Sequence, residues 1–154
     1  MAEELTHVDQ TGRARMVDVG EKDPMRRRAV ARGYFRADPG TIDRVLDDRL
    51  EKGDAIAIAR IAGIQAAKRC SDLIPLCHPL GLDVVEVDVD RESPDRLRIT
   101  ASAAVVARTG VEMEALTAVS VAALTLWDMT KSIDANLLIE QVELVEKTKE
   151  RVER

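Results

Sequence analysis

Two alternating segments joined by a turn constrain the fold of this chain more than any other feature. From 82 to 90 the sequence LDVVEVDVD alternates valine with acidic residues, and alternation resumes from 97 to 107. A period of two is typical of a strand that is apolar on one face and wet on the other. The sequence SPD at 93–95 is a turn signal between the two segments. The pattern predicts an antiparallel hairpin.

Three helix signals surround this hairpin. The first begins at Asp38-Pro39, where an N-cap residue precedes a proline in the first turn, and ends near Glu51. The second follows Asp54 as its N-cap and is small or apolar on nearly all sides. The third and longest opens with TGVE at 109–112, which has the Thr-to-Glu spacing of a capping box.

Two further strands complete the predicted arrangement, at 30–36 and 137–145, where the sequence alternates or is rich in branched residues. We expect a partly mobile N-terminal segment at 1–28 and a charged tail at 147–154 that frays at its end. A length of 154 residues fits one domain with its own core. The sequence therefore predicts a single α+β domain, an antiparallel sheet with helices packed on one face.

Composition argues against several classes of partner. The net charge is -5, and the chain has only one Trp, one Tyr and one Phe, so it lacks both the positive charge and the stacking surface that nucleic acids require. No apolar run approaches the ~20 residues of a membrane span, and the start MAEELTHVDQ lacks a signal-peptide pattern. We expect a cytoplasmic protein without nucleic-acid or membrane partners, in which Cys70 and Cys77 are free thiols.

The segment LIPLCHPLGL at 73–82 places a cysteine and a histidine side by side between two prolines. A zinc site would need about four ligands. The nitrogen and sulfur ligands that the chain offers are Cys70, Cys77, His7 and His78, and none of them forms a Cys-x-x-Cys pair. A Cys-His nucleophile is disfavoured because adjacent side chains in extended backbone point to opposite sides. Two interpretations remain: a buried Cys77 beside a hydrogen-bonded His78, or a rigid loop that presents a polar group to a ligand. We predict no metal site.

The long helix carries charged groups at both ends. Asp128 and Lys131 are three residues apart and therefore neighbours; they form either a surface ion pair of little energetic value or, if apolar neighbours bury them, an acid/base pair with coupled pKa values. Glu112 is explained by the capping box, and Glu114 by a solvated position in the first turn. The two ends lie ~21 Å apart, so a site using both needs a long substrate or two subunits.

Anion binding and assembly follow from other features. Lys52 and the basic stretch Arg26–Arg28 are the available phosphate ligands, and there is no Gly-x-x-x-x-Gly-Lys or Gly-x-Gly-x-x-Gly loop. Sheet edges and the small residues of the long helix predict a homo-oligomer.

Three long stretches of the chain resemble one known family. They are LTHVDQTGRARMVDV, KGDAIAIARIAGIQAAKRCSDLIPLCHPL and TGVEMEALTAVSVAALTLWDMTK, and the likeness extends from about Leu5 to Val145. The family is molybdenum cofactor biosynthesis protein C (MoaC), the cyclic pyranopterin monophosphate synthases. The resemblance implies a lyase that converts cyclic dihydro-GTP to cyclic pyranopterin monophosphate and releases pyrophosphate. It also implies a ferredoxin-like fold in a hexamer of three dimers, with active sites at subunit interfaces.

The same resemblance assigns residues to roles through the matching motifs. Catalytic roles are implied for the motifs KGD and WDMTK, at Lys52, Asp128 and Lys131. Substrate contacts are implied for LCHPL, EME and the basic stretch, at Leu76, Cys77, His78, Glu112, Met113, Glu114 and Arg27. No tightly bound cofactor is implied, and magnesium is expected only as a companion of the substrate triphosphate, since the chain shows no dedicated site for it.

Two alternatives from other functional classes stay open. A non-catalytic nucleotide-binding oligomer would bind GTP analogues without consuming them. A purely structural oligomer would bind none of them and would tolerate the joint loss of Lys52, His78, Asp128 and Lys131.

Overall fold

A four-stranded antiparallel sheet organises the fold. The structure is a computed structural model that describes residues 6–153. The strands are β1 Met25–Arg36, β2 Val84–Ser93, β3 Arg96–Ala107 and β4 Leu138–Glu150, in the order β2-β3-β1-β4. The helices are α1 Pro39–Leu46, α2 Ala55–Lys68, the single-turn α3 Cys70–Leu73 and α4 Glu112–Thr130. The predicted α+β class with an antiparallel sheet is confirmed.

Strands β2 and β3 form the hairpin that the alternating segments predict. They pair antiparallel along their length. Val87 and Val89 are buried, whereas Glu86 and Asp88 between them are exposed. The alternation of the sequence therefore matches one dry and one wet face of the sheet.

Helices α2 and α4 pack against each other and against the dry face of the sheet. Gly63, in α2, lies so close to α4 that a Cβ there would be 2.9 Å from the carbonyl oxygen of Ala118. The buried face of α4 is correspondingly rich in alanine, at Ala115, Ala118, Ala122 and Ala123. Contacts at their ends show that the two helices run antiparallel, because Lys52 before α2 reaches Asp128 and Cys70 after α2 reaches Thr117. None of the helices within residues 6–153 has the length and apolar character needed to cross a bilayer.

The first two helices test the sequence-based boundaries. The predicted N-cap of α2 is confirmed, since the carboxylate of Asp54 accepts a hydrogen bond from the Ala57 N–H (2.9 Å). Helix α1 ends at Leu46 and not near Glu51. The chain enters a turn there, in which Asp48 adopts the left-handed conformation with φ of 53°, and this conformation terminates a helix.

The predicted capping box at 109–112 is wrong. Helix α4 begins at Glu112 and has no side-chain cap. The Glu112 carboxylate instead folds back over Gly110, where a Cβ would overlap it, and lies 3.3 Å from Lys147 Nζ. The Glu112 carboxylate therefore pairs with Lys147 of β4 and not with the main chain at Thr109, the partner that a capping box would give it.

Both ends of the described chain join the sheet over more residues than the sequence predicts. Strand β1 begins at Met25, inside the predicted mobile segment 1–28, and β4 continues to Glu150, inside the predicted tail 147–154. The additional residues are mostly charged, and β4 is an exposed edge strand, where charged side chains remain in water. Two parts of these predicted segments lie outside the described residues, 1–5 and 154.

The second face of the sheet is polar. The Arg96 guanidinium lies 3.8 Å from the centre of the Tyr34 ring, and that of Arg32 lies 5.7 Å from it. Ion pairs surround this group, including one between Arg96 and Glu140 at 3.8 Å. The helices and the apolar core lie on the opposite side, so this face is free to contact solvent or another chain.

Candidate active site

The end of α4 brings together the three residues expected to be catalytic. Lys131 Nζ lies 2.7 Å from Asp128 Oδ1, which confirms that these residues are neighbours. Lys52 Nζ donates a hydrogen bond to the main-chain oxygen of Asp128 (2.7 Å) and lies 3.8 Å from Asp128 Oδ2. One carboxylate is therefore held between two ammonium groups from different segments of the chain.

The charges of this cluster favour an ionised Asp128. The hydrogen bond and the positive charge of Lys131, followed by the charge of Lys52, lower the pKa of the Asp128 carboxyl below its ordinary value. Of the two alternatives for this pair, the single chain shows the surface ion pair and not the buried acid/base pair, because the side chains of Asp128 and Lys131 are 60% and 58% exposed. The cluster is open to a ligand or to another subunit.

The start of α4 carries a buried carboxyl group. Glu114 is only 3% exposed, so its predicted solvated position is wrong. Burial raises the pKa of its carboxyl, and the neighbouring charge of Glu112 adds to the increase. The side chain faces Cys70 and Cys77, and the three donor atoms all lie within 4.8 Å of one another. The segment after α2, which carries Cys70 and Cys77, packs onto α4 here and shields the Glu114 carboxyl from water.

The two cysteines are free thiols, as predicted. Their sulfur atoms lie 4.0 Å apart, and Cys70 Sγ lies 3.6 Å from the hydroxyl oxygen of Thr117 in α4. Burial, with the adjacent Cys70 as the next cause, raises the pKa of the Cys77 thiol to about 12. Cys77 is thus a protonated thiol at neutral pH, which agrees with the expectation that it is not an activated nucleophile.

His78 points away from this thiol pair. Its Nε2 lies 2.7 Å from the main-chain oxygen of Val17, a contact that ties the proline-bounded loop to the N-terminal segment. Leu76 and Cys77 are half-buried in the same loop, and Met113 is 37% exposed at the start of α4. Because Cys77 of this loop lies beside Glu114, we refer to the loop and the start of α4 together as the wall of the candidate pocket.

A group of basic side chains lies beside this wall. Arg27 in β1 reaches the main-chain oxygen of Arg108 (3.5 Å), and its Nε is buried without a hydrogen-bond partner in the described part of the chain. A cavity of about 200 Å³ lies where β1, β4 and the start of α4 meet. Its lining includes Arg27, Arg28, Glu112, Lys147 and Lys149. These cations and the free N–H of Arg27 make the cavity suitable for an anion.

The predicted site residues therefore form two groups and not one. Glu112, Met113, Glu114, Leu76, Cys77, His78 and Arg27 lie around the start of α4, whereas Lys52, Asp128 and Lys131 lie at its end. Glu114 and Asp128 are 14 positions apart, which corresponds to about 21 Å along a helix. Arg27 and Lys52, both expected at the triphosphate, belong to opposite groups within one chain.

Three residues lie next to the predicted site residues: Thr117 and Lys147, which the sequence did not bring forward, and Cys70, which was weighed only as a zinc ligand. Cys70 and Thr117 complete the surroundings of Cys77, and Lys147 pairs with Glu112. The spacing of seven between the cysteines gave no metal or disulfide signature, and Lys147 was assigned to a tail. Only pairing of β4 with β1, which places Lys149 opposite Arg27, brings these lysines to the site.

The chain is similar to known proteins over most of its length. The MoaC family model matches residues 16–150. A cyclic pyranopterin monophosphate synthase from Thermomicrobium roseum is 56% identical over 145 residues, which cover 94% of this chain and 87% of the relative. Cyclic pyranopterin monophosphate synthase 1 from Mycobacterium tuberculosis is 56% identical over 144 residues, which cover 94% of this chain and 85% of the relative.

Proposed function

This chain belongs to the MoaC family, as its three motif-bearing stretches predict, and we propose on that premise that it is a cyclic pyranopterin monophosphate synthase. It is a lyase of molybdenum cofactor biosynthesis that converts cyclic dihydro-GTP, 3',8-cyclo-7,8-dihydroguanosine 5'-triphosphate, to cyclic pyranopterin monophosphate and pyrophosphate. The observation that carries the proposal is the Lys52–Asp128–Lys131 cluster, which supplies proton-transfer groups in a chain of this family.

Proton transfer to the rearranging ring system is the role of the cluster. The ionised carboxylate of Asp128 orients the ammonium of Lys131 at 2.7 Å and is itself available as a proton acceptor. Lys131 carries a proton that it can deliver to, or exchange with, a substrate atom at hydrogen-bonding distance. Lys52 is anchored on the main chain of Asp128, so its positive charge remains beside the reacting atoms.

Pyrophosphate release requires positive charge near the triphosphate. When a substrate oxygen attacks the innermost phosphorus, the bond to the departing pyrophosphate breaks and negative charge accumulates on the leaving group. Arg27, together with Lys147 and Lys149, surrounds a cavity suited to this charge. Magnesium, where it accompanies the triphosphate, shares this neutralising role, and no other cofactor is proposed.

A complete site combines two subunits. The two groups are too far apart to meet at one reacting atom, and the lysine–aspartate cluster is exposed, so the start of α4 in one chain complements the end of α4 in another. The βαββαβ order of the main elements supports the ferredoxin-like assignment. Exposed apolar residues near the catalytic cluster, Leu124, Trp127 and Ile133, supply a surface for a partner. We propose the hexamer of three dimers that the family resemblance implies, located in the cytoplasm.

The direct test is turnover of the substrate. The purified protein is incubated anaerobically with cyclic dihydro-GTP, and pyrophosphate and the pterin product are measured over time. We expect product from the wild type and a loss of about a hundredfold or more in kcat for Lys131→Ala, because general acid–base groups contribute 10²–10⁴-fold.

The matched control is Arg98→Ala, which removes an exposed cation of β3 from the polar face of the sheet, on the side opposite to α2 and α4. It should retain wild-type turnover. Substrate binding without product would instead favour a non-catalytic nucleotide-binding protein, and neither binding nor product would favour a structural oligomer.

A further inference from the structure

We propose that Cys70, Cys77 and Glu114 form a binding site for a thiophilic divalent cation such as Zn²⁺ at the wall of the substrate pocket. The sulfur atoms and one carboxylate oxygen converge within 4.8 Å of one another. Two residues come from the segment after α2 and one from α4. The set of two thiolates and one carboxylate matches the ligand types of zinc, with the fourth position left to a water or a solute.

The separation of the two sulfur atoms fits coordination. Two thiolates at ~2.3 Å from a tetrahedral zinc ion lie about 3.8 Å apart, and the observed distance between Cys70 Sγ and Cys77 Sγ is 4.0 Å. A thiolate and a carboxylate oxygen on the same ion lie about 3.6 Å apart, so a Glu114 oxygen that lies at most 4.8 Å from each sulfur needs to move closer by about 1.2 Å or less.

The alternative chemistry for two adjacent cysteines is a disulfide. That bond has a sulfur–sulfur distance of about 2.05 Å, so the two atoms would need to approach by about 2 Å. Cys70 begins a helical turn, and the Cys77 N–H bonds to the carbonyl oxygen of Ile74, which restricts this approach. The geometry favours a bridging ion over a direct bond.

Glu114 supplies the second, independent reason. Glu114 is 97% buried, since only 3% of it is exposed, and its carboxylate has a hydrogen bond from its own main-chain N–H but no ion pair with any lysine or arginine in the described part of the chain. A buried carboxylate without a balancing positive charge is unfavourable, and a bound cation would supply that charge. On binding, the two thiol protons leave to the buffer, and the thiolates and carboxylate donate electron pairs to the ion.

Occupancy would affect catalysis because Cys77 and Glu114 are both proposed to contact the substrate. An ion that fixes these side chains would block the wall of the pocket and inhibit turnover. This consequence depends on the proposed function, whereas ion binding itself does not.

The test uses the purified full-length protein, reduced and freed of metal with a chelator. Cd²⁺ serves as the probe because its thiolate complexes absorb in the ultraviolet. We expect one Cd²⁺ per chain with a cadmium–thiolate absorption, release of protons, and protection of the half-buried Cys77 from alkylation. Cys70→Ser should weaken binding at least about tenfold, since even residues that only support a metal ligand contribute 10–100-fold.

Matched carboxylate variants separate the site from non-specific binding. Glu114→Gln should weaken Cd²⁺ binding, while Glu112→Gln, two residues earlier and paired with Lys147, should not. Absence of the thiolate absorption, undiminished binding by Cys70→Ser, or a disulfide that persists in reducing buffer would each overturn the proposal. The alkylation experiment tests the wild type alone, so it remains decisive if a cysteine variant fails to fold.

Inhibition is measured separately. Zn²⁺ at a concentration that saturates the site should suppress turnover of the wild type and leave Cys70→Ser active, because Cys70 is not among the proposed substrate contacts. If the protein lacked synthase activity altogether, the cadmium titration would still decide whether the site exists.

Discussion

The carboxyl of Glu114 lies at the wall of the proposed pocket, out of water and beside two thiols. A residue in this position lowers the stability of the free protein, because its charged form has lost hydration and no positive side chain compensates for that loss. Such a cost is expected where a side chain is kept for binding a ligand and not for packing. The position of Asp128 is the reverse: it is exposed and stabilised in its charged form by two lysines.

This difference leads to a prediction about pH. The folded-state pKa of Glu114 is raised above its unfolded value by burial, so its contribution to stability is full below the unfolded pKa and is lost as pH rises through the folded pKa. Glu114→Gln removes the titration. We expect Tm at pH 7 to increase by about 2–4 °C, the shift for about 1 kcal/mol in a domain of this size, and the gain to vanish at acid pH.

Thermal unfolding of the two proteins from acid to neutral pH measures this effect, without substrate and with a metal chelator present. Glu112→Gln is the control, because its carboxylate lies beside Lys147 and remains accessible to solvent. A Tm difference between wild type and Glu114→Gln that stays constant with pH would show that the carboxyl does not titrate as described.

At the scale of secondary-structure elements, local sequence patterns predicted the features that depend on neighbouring residues. They failed for features that depend on contacts between segments distant in sequence. The hairpin and the N-cap at Asp54 follow from neighbouring residues and were predicted from the sequence. The burial of Glu114 was not predicted, since α3 and the following loop cover it through contacts that no local pattern encodes. The basic end of β1 was assigned to a mobile segment because its strand conformation comes from pairing with β3 on one side and β4 on the other, both distant in sequence.

The site shows the same division. Asp128 and Lys131 could be paired from helical spacing alone, but the arrival of Lys52 beside them depends on the antiparallel packing of α2 on α4. The family motifs include all of these residues, but a motif does not show which of them lie close together within one chain.

The close contact between α2 and α4 gives a prediction for this scale. A Cβ at Gly63 would lie 2.9 Å from the carbonyl oxygen of Ala118 and 3.1 Å from Val87, so Gly63→Ala must push the helices apart. We expect the free energy of unfolding to fall by about 1–3 kcal/mol, the usual cost of overpacking. Turnover should also fall, because Lys52 reaches Asp128 only through this packing.

Gly40→Ala is the matched control. Gly40 also lies in a helix, α1, but has nothing within 4 Å of the added Cβ. Its stability in denaturant unfolding should be unchanged or raised by up to about 1 kcal/mol, as expected from helix propensity. Equal effects of the two substitutions would mean that the helix contact is looser than described.

At the scale of the whole molecule, the separation of the two residue groups becomes the central constraint. One chain holds the carboxyl and thiol wall at the start of α4 and the lysine–aspartate cluster about 21 Å away at its end. A dimer in which each chain completes the other's site removes the difficulty without any internal movement. It also explains why the lysine–aspartate cluster is exposed in the single chain and lies near exposed apolar side chains such as Trp127.

Mixing two inactive variants tests this arrangement. Glu114→Gln impairs the group at the start of α4, and Lys131→Ala impairs the group at its end. If sites are shared, a mixed dimer contains one site with both defects and one site with none. Random reassembly makes half of the dimers mixed, so about a quarter of the wild-type activity should return. If each site belonged to a single chain, every site would keep one defect and mixing after reversible dissociation would restore nothing; co-expression with different affinity tags verifies that mixed oligomers have formed.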